Sequence, residues 1–201
     1  MNKISKEELI QFEKEISELF LDKQIRVPVH LSGGNESQLI SIFKNIHEDD
    51  WVLSTHRNHF HVLLKGYPKE EFKDLILSGE SMHIYSKEHK ILTSAIVGGI
   101  IPIAVGIALG IKKSNGKETV WVFLGDMSAE TGIFHECSKY AARNRLPIIF
   151  VIENNGFSTN TPTQECWGIY KNKPNIMRYD YERIWNHVGP GKDGENVWVT
   201  F

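Results

Sequence analysis

The chain has 201 residues and a mass of 23.0 kDa, a length that fits one domain with a full hydrophobic core. Apolar residues make up 41% and charged residues 24%, an ordinary globular balance that excludes a disordered chain. The net charge of −2 leaves no basic excess to drive counterion release, so nucleic acid is not the expected partner.

The first predicted element is a helix over about 5–22. Ser5 and Glu8 have capping-box spacing, and Leu9, Phe12, Ile16, Leu19 and Phe20 share one face. Its charged start, MNKISKEELIQFEKE, is unlike a secretory leader. The loop VPVHLSGGNES follows, broken by Pro28, Gly33 and Gly34. Leu39, Ile42, Phe43 and Ile46 mark a second amphipathic helix, and WVLSTH (51–56) reads as a short strand. Pro68 opens a helix through Phe72, Leu75 and Ile76 that Gly79 ends.

From Ile91 to Ile111 the chain carries 21 residues without a charge, long enough for a membrane span. Its five glycines and prolines, Gly98, Gly99, Pro102, Gly106 and Gly110, suit a buried helix entered through a glycine loop better, and both flanks are polar. The expectation is a helix without membrane insertion, whose apolar, glycine-rich surface packs between subunits. The strand ETVWVFLGD comes next, then a helix from about Thr131 to Asn144, then the strand LPIIFVIENN. The last is a continuous apolar run of the kind buried on both faces of a parallel sheet. This alternation predicts an α/β fold with a parallel sheet and helices on both faces. The segment 163–201 lacks a clear period, although NVWVTF at its end has strand character. Cys137 and Cys166 make no disulfide framework and suit a reducing, cytoplasmic setting.

Ligands of α/β sheets bind beyond the carboxyl ends of the strands. Two successive strands end in Gly125-Asp126 and Glu153-Asn154-Asn155-Gly156. Such hard oxygen donors suit magnesium holding a diphosphate, and the helix after Asp126 offers free amides to an anion. Read singly, each cluster is equally a strand-to-turn signal. His59 and His61 read as surface-strand histidines or, as His-Phe-His, as a metal pair.

The 29 positions from Asp126 to Asn155 add a resemblance. GDMSAETGIFHECSKYAARNRLPIIFVIENNG resembles the thiamine diphosphate-binding signature, and HLSGGNE (30–36), STHRNH (54–59), SMHIY (81–85) and IVGGIIPIAVGIALG (96–110) follow one family's motif order. That family comprises the alpha subunits of thiamine-dependent 2-oxo acid dehydrogenases, including pyruvate dehydrogenase and its acetoin-cleaving relatives. The likeness runs from about Ile25 to Pro162.

The resemblance implies a single thiamine diphosphate-binding domain over 1–201, with a divergent end from about 163. It implies magnesium held by Asp126, Asn155 and the Phe157 carbonyl. The cofactor would be bound by His56, Arg57, Val97, Gly125, Asp126, Met127, Ser128 and Asn155. His30, His59 and His83 would stand at the substrate end as catalytic residues. It further implies a beta-type partner that brings the pyrimidine-binding domain and the activating glutamate. The assembly would be a heterotetramer with alpha–alpha contact, acting on a small carbonyl substrate by 2-oxo acid decarboxylation. A ketol or acyl transfer to a sugar or aldehyde, or a non-catalytic homologue, are the alternatives. Three positions depart from the family pattern: His56 stands for tyrosine, while Met127 and Ala95 stand for glycines. Met127 would be expected to loosen the diphosphate contact or to require a different turn.

Overall fold

The computed structural model describes residues 4–168 and 176–191. Helix α1 spans Lys6–Leu21. Its capping box is formed on both sides: the Ser5 hydroxyl accepts from the Glu8 amide at 3.2 Å, and the Ser5 amide donates to the Glu8 carboxylate at 2.7 Å. Helix α2 (Glu36–Phe43), strand β1 (Trp51–Ser54), helix α3 (His59–Leu64) and helix α4 (Lys69–Leu77) follow. The apolar stretch that begins at Ile91 is two elements rather than one. Strand β3 (Ile91–Thr93), preceded by the two-residue β2 (Tyr85–Ser86), is joined by a turn to helix α5 (Ile100–Lys113). No helix among the described residues is long and apolar enough to cross a membrane. Strand β4 (Val120–Gly125) leads through a 3-10 turn (Ser128–Glu130) to helix α6 (Gly132–Arg143) and strand β5 (Ile148–Asn154). A small hairpin of β6 (Phe157–Ser158) and β7 (Thr161–Pro162), helix α7 (Thr163–Trp167) and strand β8 (Ile176–Asp180) complete the described elements. The strand-like NVWVTF lies outside the described residues.

The main sheet has the order β2-β3-β1-β4-β5-β8 and is parallel apart from β2. Its strands alternate between two cores, as the two-residue period of a strand requires. Val52, Trp121, Phe123 and Val151 face a cluster built with α1 to α4, while Leu53, Val122, Leu124, Phe150 and Ile152 face one built with α5 and α6. The fold is therefore α/β with helices on both faces, as the sequence predicts. Helix α3 corrects the surface-strand reading of His59 and His61. All six of its residues are buried, so it has no polar face and no helical period for the sequence to display.

Two glycines join distant parts of the chain. At Gly98 (φ +75°) an added Cβ would come within 2.9 Å of Ile133, so the turn into α5 lies directly on α6. At Gly34 (φ +90°) an added Cβ would lie 1.9 Å from the Glu182 carbonyl oxygen. The Gly189 amide also donates to the Val29 carbonyl at 2.9 Å, so the loop before α2 and the segment after β8 are stitched together. Gly34→Ala should cost ~1–3 kcal/mol through the left-handed backbone alone, with the clash added. Thermal unfolding checks this: a clear loss in Tm is expected, and an unchanged Tm would refute the close approach.

Candidate functional site

Strand β1 is flanked by β3 on one side and β4 on the other. The chain leaves β1 towards β3 and then crosses back to β4, which makes the β1/β4 boundary the switch point of the sheet. At the carboxyl ends of the strands lies a cavity of about 300 Å³. Every parallel strand sends its following loop into the lining: Thr55–Arg57 after β1, Ser94–Val97 after β3, Gly125–Ser128 after β4, Asn155 and Phe157–Thr159 after β5, and Tyr181, Arg183 and His187 after β8. His30 adds a side chain from the loop before α2.

The oxygen donors sit together because β4 and β5 pair in parallel with Gly125 opposite Glu153. Asp126 and Asn155 are thus the first residues to leave two adjacent strands. Asp126 is buried, its Oδ2 lacks a hydrogen-bond partner of normal geometry, and burial pushes its carboxyl above the usual range against the Thr163 hydroxyl and backbone amides, which lower it. The Asn155 amide oxygen accepts from the Phe157 amide at 3.0 Å, and its nitrogen donates to the Tyr181 hydroxyl at 3.2 Å, which fixes the side chain while leaving an oxygen lone pair. An added Cβ on Gly125 would meet nothing within 4 Å, so the strand end is open to the cavity.

Arg57 is partly buried, donates to the Leu31 carbonyl, and forms no ion pair among the described residues. Desolvation lowers its pKa, with Tyr181 acting against this. A guanidinium held in this way keeps donors that can receive an anionic oxygen. Met127 has φ −67°, an ordinary helical backbone, so the turn after β4 needs no glycine here. Its sulfur instead accepts from the Trp167 indole N–H at 2.9 Å.

His30, His56 and His187 form a cluster in the same cavity. The His30 Nδ1–H donates to the His187 carbonyl at 2.6 Å. Burial pushes His30 down to about 4, opposed by that hydrogen bond, and pushes His56 down to about 3, helped by His30 and Arg57. Burial lowers His187 as well, with Arg57 and Arg183 adding to the effect. His30 and His56 are therefore neutral imidazoles at pH 7.

Ten of the residues singled out in the sequence therefore line one cavity: His30, His56, Arg57, Val97, Gly125, Asp126, Met127, Ser128, Asn155 and Phe157. His59 and His83 do not. His59 is fully buried within α3, where Nδ1 lies 3.0 Å from the Glu13 carboxylate and Nε2 lies 2.9 Å from the Ser81 hydroxyl. The same Glu13 oxygen accepts from the Ser32 amide at 2.9 Å, so His59 supports the His30 loop from behind. His83 is exposed and lies outside the cavity lining. Sequence reasoning missed Tyr181, Arg183 and His187, which follow a strand without alternation in the aperiodic end of the chain.

A family model described as the dehydrogenase E1 component matches residues 6–169. The chain belongs to the dehydrogenase E1 component family. It is 34% identical over 204 residues to the alpha subunit of acetoin:2,6-dichlorophenolindophenol oxidoreductase of Bacillus subtilis, covering 96% of this chain and 60% of that protein. It is 36% identical over 143 residues to the chloroplastic pyruvate dehydrogenase E1 component subunit alpha-3 of Arabidopsis thaliana, covering 63% and 33%. To the pyruvate dehydrogenase E1 component subunit alpha of Zymomonas mobilis it is 33% identical over 167 residues, covering 78% and 47%. The chain thus spans from about a third to three fifths of the length of these relatives. Within this E1 component chain, Tyr181, Arg183 and His187 fall beyond the residues that the family model matches.

The depressed histidines give the E1 component chain a pH signature. In the window between the folded values of about 3 to 4 and the ordinary histidine value of 6.5, the unfolded chain binds more protons than the folded one. Stability is fully present above pH 6.5 and falls as the pH drops through that window. The slope is about 1.4 kcal/mol per pH unit for each histidine. Thermal unfolding in chelator-containing buffers between pH 7 and 4.5 should show Tm falling with acid, and less steeply in His56→Gln. Equal slopes would contradict the burial of His56.

Proposed function

We propose that this chain is the diphosphate-binding, alpha-type half of a thiamine diphosphate- and magnesium-dependent enzyme. The reaction is cleavage of a carbon–carbon bond beside a carbonyl, by decarboxylation of a 2-oxo acid with transfer of the acyl or aldehyde unit. The observation that carries this reading is the buried, unpartnered Asp126 carboxylate oxygen in one cavity with the Asn155 amide and the Arg57 guanidinium. The residues fit the group: hard oxygens for magnesium, an unpaired guanidinium for a phosphate, and an open strand end at Gly125. The relatives named as an acetoin oxidoreductase subunit and as pyruvate dehydrogenase E1 component subunits support the same chemistry.

In this reading Asp126, the Asn155 side chain and the Phe157 carbonyl hold magnesium. Arg57 takes a diphosphate oxygen, with His56, Gly125, Met127 and Ser128 around it, and the Val97 backbone meets the aminopyrimidine ring. When bound, the cofactor supplies a nucleophilic carbon and an electron sink for the broken bond. His30, neutral and anchored on the His187 carbonyl, offers its Nε2 to a substrate oxygen. His59 acts by holding the His30 loop, and His83, exposed and outside the cavity lining, is given no part in it. Ile96 and Val97, 69% and 71% exposed at the cavity edge, are the apolar surface a beta-type partner covers while bringing the activating glutamate. The partner completes the site, and the small carbonyl substrate enters between the two chains.

Calorimetric titration with thiamine diphosphate and magnesium tests the reading. Binding should vanish in Asp126→Ala and weaken at least ~10-fold in Arg57→Gln, the scale of a lost charged hydrogen bond. Unchanged affinity in Asp126→Ala would place the metal elsewhere. The chain alone should turn over no 2-oxo acid and should gain turnover when the partner is added. Full activity of the isolated chain would refute the half-site.

A further inference from the structure

The residues that follow β8 lie beyond the stretch that the family model matches, yet they reach into the cavity. His187 among them brings a third imidazole to His30 and His56. One ring nitrogen from each of the three lies within 4.8 Å of the others. The ring centroids are 4.4 Å apart for His30–His56, 4.8 Å for His30–His187 and 5.6 Å for His56–His187. We infer that His30, His56 and His187 form a binding site for a borderline divalent transition-metal ion, of the zinc or cobalt class, separate from the oxygen donors of Asp126 and Asn155.

The donor chemistry selects the metal. Three imidazole nitrogens suit zinc, cobalt, nickel or copper, whereas magnesium takes oxygen ligands and retains its water. Orientation supports the same assignment. The His30 Nδ1–H is committed to the His187 carbonyl at 2.6 Å, so its Nε2 carries the free lone pair. A metal-binding histidine is commonly aimed in this way, by a backbone carbonyl on its far nitrogen.

The size of the cluster is close to what an ion needs. Zinc–nitrogen bonds of ~2.0–2.1 Å put tetrahedral donors about 3.4 Å apart, so the widest pair has to close by roughly 1 to 1.5 Å. Side-chain rotation at the half-buried His56 and His187 can provide this. The three residues line a cavity, which gives an ion a path in and leaves a fourth coordination position for water or an anion. Arg57 and Arg183 line the same cavity, and their charge opposes a bare dication there. It therefore favours an anionic fourth ligand, hydroxide or chloride, over a neutral one. The inference stands on these side chains and concerns the chain without cofactor, because with thiamine diphosphate bound His30 and His56 take the roles given above.

Titration of the full chain with cobalt(II), without thiamine diphosphate, tests it by visible d–d absorption. One equivalent should give tetrahedral-type bands that zinc abolishes and excess magnesium does not. His187→Ala and His56→Ala should each weaken cobalt binding at least ~10-fold, while Asp126→Ala should leave it unchanged. His187 holds His30 through its main chain, so truncating its side chain preserves that hydrogen bond. Far-ultraviolet dichroism confirms folding, and His187→Gln repeats the test with a bulkier side chain. Absence of the bands, full binding in both His187 variants and in His56→Ala, or loss of binding in Asp126→Ala would each overturn the site.

Discussion

The in-register parallel pairing of β4 with β5 is the constraint on which the rest of the molecule depends. Six residue pairs join the two strands, ending at Gly125 opposite Glu153. The pairing is buried on both faces, because Val122, Phe123, Leu124, Val151 and Ile152 have no exposed surface. Side chains of this size contribute ~1.5–3 kcal/mol each when fully buried. A slip of one residue would send every one of them to the opposite face. The same register puts Asp126 and Asn155 at neighbouring exits of the sheet. The energetics that fix the core therefore also fix the oxygen donors.

Around those donors the cavity is assembled from pieces held by buried polar bonds. Glu13 on α1 joins the Ser32 amide to His59 on α3, which steadies the loop carrying His30. Glu153, one position inside the strand exit, accepts from Asn35 at 3.2 Å and from the Tyr179 hydroxyl, and lies 3.3 Å from His61. Asn35 stands at the start of α2 and Tyr179 on β8, so this one carboxylate ties the loop before α2 to β8. Breaking such a network strands buried groups without partners, which costs more than any single bond contributes. Arg57, beside these carboxylates, donates to the Leu31 carbonyl and faces the cavity.

Much of this architecture was legible in the sequence, and what was not has physical reasons. The capping box of α1, the apolar runs of β4 and β5, and the Asp126 and Asn155 exits all announce themselves through local chemistry. Helix α3 does not, because burial on every side removes the polar face that marks a helix, and His59 and His61 then pass for surface residues. Strand β3 vanished into a continuous apolar run, where no period separates three strand residues from a buried helix. Strand β8 is a partly exposed edge strand without clean alternation, so the chain after it gave no hint that Arg183 and His187 return to the cavity. Met127 was legible as a departure from glycine, but only its helical backbone shows that the turn accommodates it.

The decisive measurement is a crystal structure of the chain soaked with manganese(II) and thiamine diphosphate, with the metal located by anomalous scattering. The account predicts a peak bonded to both the Asp126 carboxylate and the Asn155 amide oxygen, with the diphosphate beside Arg57. A manganese–diphosphate pair bound away from those two side chains would contradict it.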